Sequence, residues 1–183
     1  MMRPTVRTIF PPGFRGLKLR CLPPSRTFSI SRSYQASNQI YASARRPDDL
    51  HTYQLLSSSS RTPLITLWTT SWCPTCRIVA PLLQSVIEAG VGEAEGGVSY
   101  CTVEYDAPDL MADGAGVTYM ITSIPTLLSF DAGEAQVQTK VVDARRLAGR
   151  EFLEEWVRRE AGRHGGRGGG GDGILGGLFR SWR

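Results

Sequence analysis

The chain has 183 residues, enough for one ordinary domain with extensions, and 41% of them are hydrophobic. Its net charge of +4 is unevenly distributed, because all 17 acidic residues lie at or after Asp48. Residues 48–183 carry only 12 basic side chains, so the basic pI is no argument for nucleic-acid binding by this part. No apolar run approaches the length of a membrane span, and we expect no transmembrane segment.

Residues 1–47 hold eight arginines and one lysine, are rich in serine and proline, and contain no acidic residue. This composition is typical of a mitochondrial transit peptide, and the uninterrupted apolar stretch of a secretory signal is missing. We therefore predict import into mitochondria, to the matrix, with cleavage near Tyr34. The alternative interpretation is a disordered basic tail with another purpose.

From Asp48 onward, strand-like and helix-like patterns predict one α/β domain at residues 50–161. The predicted strands are residues 51–56, 64–68, 98–104, 126–130 and 137–142. The predicted helices are residues 76–90 and 150–161, and four serines at 57–60 are assigned to a loop.

Residues 162–183 contain ten glycines and are predicted to be a flexible tail, because such a segment cannot recover the entropy of ordering. Apolar side chains occur near its end, between Ile174 and Trp182. Docking of this patch on a partner or a membrane surface is the alternative to a solvated linker.

Two of the four cysteines, Cys73 and Cys76, are separated by two residues and lie between a predicted strand and a predicted helix. Cys73 falls at the helix start, where unpaired backbone N–H groups and the macrodipole favour a thiolate. We therefore expect its pKa to lie below that of a free cysteine, which makes it the nucleophile. The spacing lets Cys76 attack a mixed disulfide and release the product.

Other uses of the pair are less consistent with the sequence. A structural zinc site needs four ligands, and the only histidines, His51 and His164, are in no ligand-spaced cluster, so no metal is predicted. A structural disulfide across so short a loop constrains the unfolded chain little. Cys101 lies in a predicted strand and is interpreted as an inert core thiol, with a regulatory cysteine as the alternative.

The stretch Trp72-Cys73-Pro74-Thr75-Cys76 resembles the active site of thioredoxins. Pro81 lies where that family has a proline in the active-site helix, and Ile124-Pro125-Thr126 is similar to its cis-proline loop. The resemblance implies a thioredoxin-like α/β fold with a central mixed sheet flanked by helices. It also implies that Trp72, Ile124 and Pro125 bind the substrate beside the catalytic cysteines.

The chain also departs from the family pattern. Leu67 stands where thioredoxins bury an aspartate that assists proton transfer from the resolving thiol, and the sequence shows no replacement. Pro74-Thr75 replaces the family's Gly-Pro, and Val142 lies where a glycine usually gives partners a flat surface. The segment before residue 64 is short, so the first helix is expected to be reduced or absent.

These features predict a mitochondrial protein thiol-disulfide oxidoreductase that needs no cofactor and acts on protein disulfides or dithiols. A thioredoxin reductase or glutathione is the candidate reductant, and nucleic acid is not an expected partner. A non-enzymatic redox-sensing adaptor or assembly factor is the first alternative. A glutathione-linked oxidoreductase, suggested by Pro74, is the second, although no Gly-Gly-x-Asp motif follows Pro125.

Overall fold

A five-stranded mixed sheet forms the centre of the fold in the computed structural model, which describes residues 37–165. The strand order is β1-β3-β2-β4-β5; β1, β3 and β2 run parallel, whereas β4 is antiparallel to β2 and to β5. The strands are β1 (Gln39–Ile40), β2 (Leu64–Thr69), β3 (Ser99–Glu104), β4 (Thr126–Asp131) and β5 (Glu134–Ala135).

Helices cover both faces of the sheet. They are α1 (Pro47–Ser60), α2 (Cys76–Glu88), α3 (Pro108–Asp113), α4 (Ala115–Thr118), α5 (Ala144–Leu147) and α6 (Arg150–Gly165). Alternation along β2 separates two cores: Ile65 and Leu67 pack with α2 and α6, whereas Leu64 and Trp68 pack with α1, α3 and α4. In the described part of the chain no helix is long and apolar enough to cross a bilayer.

The segment before β2 is where the prediction was wrong. Residues 51–56 are not a strand, serines 57–60 are not a loop, and the first helix is neither reduced nor absent but 14 residues long. Pro47 lies at the start of the helix, where its missing N–H costs no hydrogen bond. Asp48 and Asp49 lie in the first turn, where the helix dipole favours negative charge.

Helix α1 packs against the core through one narrow face. Leu50 and Ser57 are buried, Tyr53 packs against the same core, and the Ser57 hydroxyl donates a hydrogen bond to the Thr62 carbonyl. The apolar stripe is sparse and part of it is serine, so helical periodicity is weak in the sequence. Tertiary packing stabilises this helix more than its own pattern indicates.

The fold begins before residue 50, the predicted start of the domain. β1 pairs with the first two residues of β3, and Ala44 is fully buried and bridges Val103. Residues 39–47 have the composition of the acid-free leader, yet they form one edge of the sheet and the entry to α1. Most of the predicted leader and the glycine-rich tail lie outside the described residues.

The remaining predicted strands and helices agree with the structure to within a few residues, with one exception. The strand predicted at residues 137–142 is mostly absent. Residues Val137–Thr139 form a 3₁₀ turn, and a single bridge joins Val141 to Leu127. The side-chain pattern of this segment fits a strand, but its backbone leaves the sheet after Ala135, which ends β5.

Candidate active site

The two cysteines lie at the junction between β2 and α2. β2 ends at Thr69, and α2 begins at Cys76. Cys73 and Cys76 form a disulfide with Cα atoms 5.3 Å apart, and the backbone N–H of Cys76 donates a hydrogen bond to Cys73 Sγ at 3.1 Å. An amide at the helix start therefore points at the Cys73 sulfur, an arrangement that stabilises negative charge there when the pair is reduced.

The other predicted site residues lie at the same end of the sheet. The Ile124–Pro125 peptide bond is cis, and it immediately precedes β4. Because Thr126 pairs with Trp68 across the antiparallel ladder, this loop lies next to the end of β2, from which the cysteine loop starts. Trp72 is 70% exposed. The position of these residues agrees with the sequence prediction, and their role in substrate binding stays a prediction.

Both cysteines are 4% exposed, and a cavity of about 360 Å³ opens beside Cys76. Hydroxyl and charged side chains line most of it. They come from the segment before α1, the end of β2, the start of α2 and the end of β3. The charged members are Arg45, Arg77 and Glu104, and Arg45 Nε lies 2.9 Å from Glu104 Oε2. The resolving cysteine therefore borders a space whose wall carries several side chains able to form hydrogen bonds.

Leu67, which replaces the buried acid of the family pattern, is fully buried in the core beneath α2. Its neighbour in register on β3 is Thr102, which lines the cavity. The sequence alone indicates no carboxylate that could replace this buried acid. The structure brings Glu104 to the cavity, two residues after Thr102 on the same face of β3. The alternation of β3 was the only signal in the sequence for this placement.

Cys101 is confirmed as a buried core thiol. It lies in β3 and packs in the core on the face opposite to α2. Burial raises the pKa of its thiol to about 12, so the group stays protonated and unreactive at neutral pH. Within residues 37–165 no three or more His, Cys, Asp or Glu side chains are grouped as a metal site.

Comparison with known proteins agrees with this geometry. The family model for thioredoxin matches residues 48–157. The chain belongs to the thioredoxin family. The chloroplastic M-type thioredoxin of Zea mays is 32% identical over 79 residues, which are 43% of this chain and 42% of that protein. The match thus spans less than half of this curated relative.

Solved thioredoxin structures share the fold. Reduced Schistosoma mansoni thioredoxin superposes with a TM-score of 0.51 at 19% identity, covering 67% of this chain and 99% of that one. Thioredoxin NaTrxh from Nicotiana alata has a TM-score of 0.51 at 15% identity, covering 70% and 97%. The predicted thioredoxin-like α/β fold is confirmed. In a thioredoxin domain, so close a cysteine pair supports thiol-disulfide exchange as the general chemistry of this chain.

Proposed function

We propose that this protein is a protein thiol-disulfide oxidoreductase. The Cys73 thiolate attacks a client disulfide and forms a mixed disulfide, and the first client sulfur leaves as a thiolate. Cys76 then attacks Cys73 Sγ, so the second client sulfur leaves and the Cys73–Cys76 disulfide forms. An external dithiol or glutathione returns two electrons to the pair. The observation that carries the proposal is the Cys76 N–H donated to Cys73 Sγ at the start of α2.

The surroundings of the pair support a protein client. Trp72 presents an exposed aromatic surface next to Cys73, and Ile78 is 63% exposed on the first turn of α2. Half-buried Ile124 precedes the cis-proline in the neighbouring loop. An apolar surface around a buried sulfur pair suits an extended peptide better than a small polar disulfide.

The second candidate is a non-enzymatic redox-sensing adaptor or assembly factor. Leu67 favours it, because this buried side chain cannot accept the proton that rapid turnover must remove from Cys76. Val142 also favours it, since it is 45% exposed where family members have a flat surface for common partners. The adaptor would bind its partner through the fold and would not need repeated resolution.

Insulin reduction separates the two candidates. We expect the protein to accelerate the reduction of insulin by dithiothreitol, measured as light scattering from the precipitating chains, because Cys73 is the more reactive thiolate. A parallel assay supplies electrons through NADPH and a thioredoxin reductase and identifies the reductant. No acceleration above dithiothreitol alone would favour the adaptor.

We also propose that the acid-free leader directs the protein to mitochondria. Residues 1–36 fused to a fluorescent protein are expected to co-localise with a mitochondrial marker, because basic, serine-rich, acid-free leaders serve as transit peptides. The matched control replaces the arginines of this segment by glutamine and should stay in the cytosol. Cytosolic fluorescence of the unaltered fusion would contradict the proposal.

A further inference from the structure

Resolution of a mixed disulfide requires that Cys76 lose its thiol proton, because only the thiolate attacks. Cys76 is 4% exposed, so bulk water reaches its sulfur poorly. Leu67, fully buried beneath α2, offers no acceptor. The cavity that Cys76 borders is the route that the structure offers for this proton.

We propose that Glu104 accepts this proton through water in the cavity; the inference rests on the proposed oxidoreductase function. Glu104 is the last residue of β3 and pairs in register with Thr69, four residues before Cys73. Both Glu104 and Cys76 line the same cavity.

The cavity has the size and lining that a water relay needs. Its volume of about 360 Å³ leaves room for several water molecules, each of which takes roughly 30 Å³ in the liquid. The lining residues Thr69 and Thr102 carry hydroxyl groups that can hydrogen-bond such waters. The cavity is open to solvent, so water can enter it and reach these hydroxyl groups.

Within the part of the chain that the structure describes, one oxygen of the Glu104 carboxylate is engaged by an ion pair, and the other is not. Arg45 Nε lies 2.9 Å from Oε2, and the side chain is 29% exposed. Among residues 37–165, Oε1 has no hydrogen-bond or ion-pair partner, so it remains available to accept a proton from water. The ion pair with Arg45 fixes the position of the carboxylate at the cavity wall.

Two arginines line the cavity and a second carboxylate, Asp106, contacts Ser71 in the cysteine loop, but none of these groups competes for this role. Arg45 and Arg77 are permanent cations, and Arg77 donates a hydrogen bond to the Ser71 carbonyl at 3.2 Å. Asp106 accepts hydrogen bonds from the Ser71 hydroxyl and N–H, and these lower the pKa of its carboxyl. Asp106 is also absent from the cavity lining.

The step balances without an added oxidant. The Cys76 proton passes through water to Glu104, and the thiolate attacks Cys73 Sγ. The Cys73–Cys76 bond forms, the bond from Cys73 to the client sulfur breaks, and the client thiolate leaves with the electron pair. It then takes a proton from solvent, while Glu104 releases its own.

The test separates attack from resolution in one experiment. Reduced full-length protein carrying Cys21→Ser is mixed with a disulfide of 5-thio-2-nitrobenzoate in a stopped-flow instrument. Attack by Cys73 releases the first coloured thiolate, and resolution by Cys76 releases the second. We expect Glu104→Gln to slow the second phase about 10- to 100-fold near neutral pH and to leave the first phase unchanged. The two proteins should converge at alkaline pH, where hydroxide removes the proton.

Asp106→Asn is the matched control, since it removes the same charge two residues away, and its second phase should stay at the wild-type rate. A second variant, Glu104→Thr, also removes the carboxylate and keeps the protein testable if Glu104→Gln does not fold, because threonine is well suited to a strand. It must slow the second phase as well. An unchanged second phase and pH profile in the Glu104 variants would overturn the inference, as would equal slowing by Asp106→Asn. Unaltered protein that releases no second equivalent would instead overturn the proposed function.

Discussion

With Cys73→Ser, insulin is expected to be reduced no faster than by dithiothreitol alone. With Cys76→Ser, the protein is expected to accumulate client proteins as mixed disulfides. Without Cys73 no thiolate lies at the start of α2 to attack. Without Cys76 the attack still occurs, but the mixed disulfide has no internal thiol to resolve it. Cys101 cannot substitute, because it is fully buried on the other face of the sheet.

The trapping measurement uses an extract of cells that express the tagged Cys76→Ser protein, separated by non-reducing and then reducing electrophoresis. Specific clients should appear as disulfide-linked species that reductant releases. Cys73→Ser combined with Cys76→Ser is the control, because it lacks both sulfurs of the pair. Equal recovery from the trap and this control would favour the adaptor over the enzyme.

Leu67→Asp is expected to destabilise the protein by about 3–5 kcal/mol, because it removes a buried leucine from the centre of the sheet and places a carboxyl there. Burial raises the pKa of the new carboxyl in the folded state above its unfolded value. Stability is therefore lost progressively as the pH rises from the unfolded pKa towards the folded one. Thermal melts of both proteins should show a larger difference at neutral than at acidic pH.

The same substitution tests the proton step. In the Glu104→Gln background, Leu67→Asp should recover much of the lost second-phase rate, because it supplies an acceptor beneath α2. Leu67→Asn is the matched control, since it introduces a polar group of similar shape that cannot accept the proton as a carboxylate does. Recovery by asparagine as well would show that altered packing, and not proton transfer, is responsible.

The sequence by itself predicted the cysteine pair and most of the sheet. The dithiol, the Ile124–Pro125 loop, and the strands and long helices that flank them are local signals. Each rests on residue types within a few positions: a β-branched run, a helical repeat, or a cysteine pair at a helix start. Because these signals are local, the resemblance to thioredoxins is visible in the order of the residues alone.

Tertiary structure alone decided the parts that depend on distant contacts. Helix α1 has too few apolar residues for its sequence pattern to predict it. It forms because its buried residues, Leu50 and Ser57, pack against the rest of the fold. The two-residue strand β1 exists only because β3, far along the chain, offers it a parallel partner. Glu104 and Cys76 border one cavity because parallel β2 and β3 end at the same edge of the sheet, a proximity that no spacing along the chain encodes.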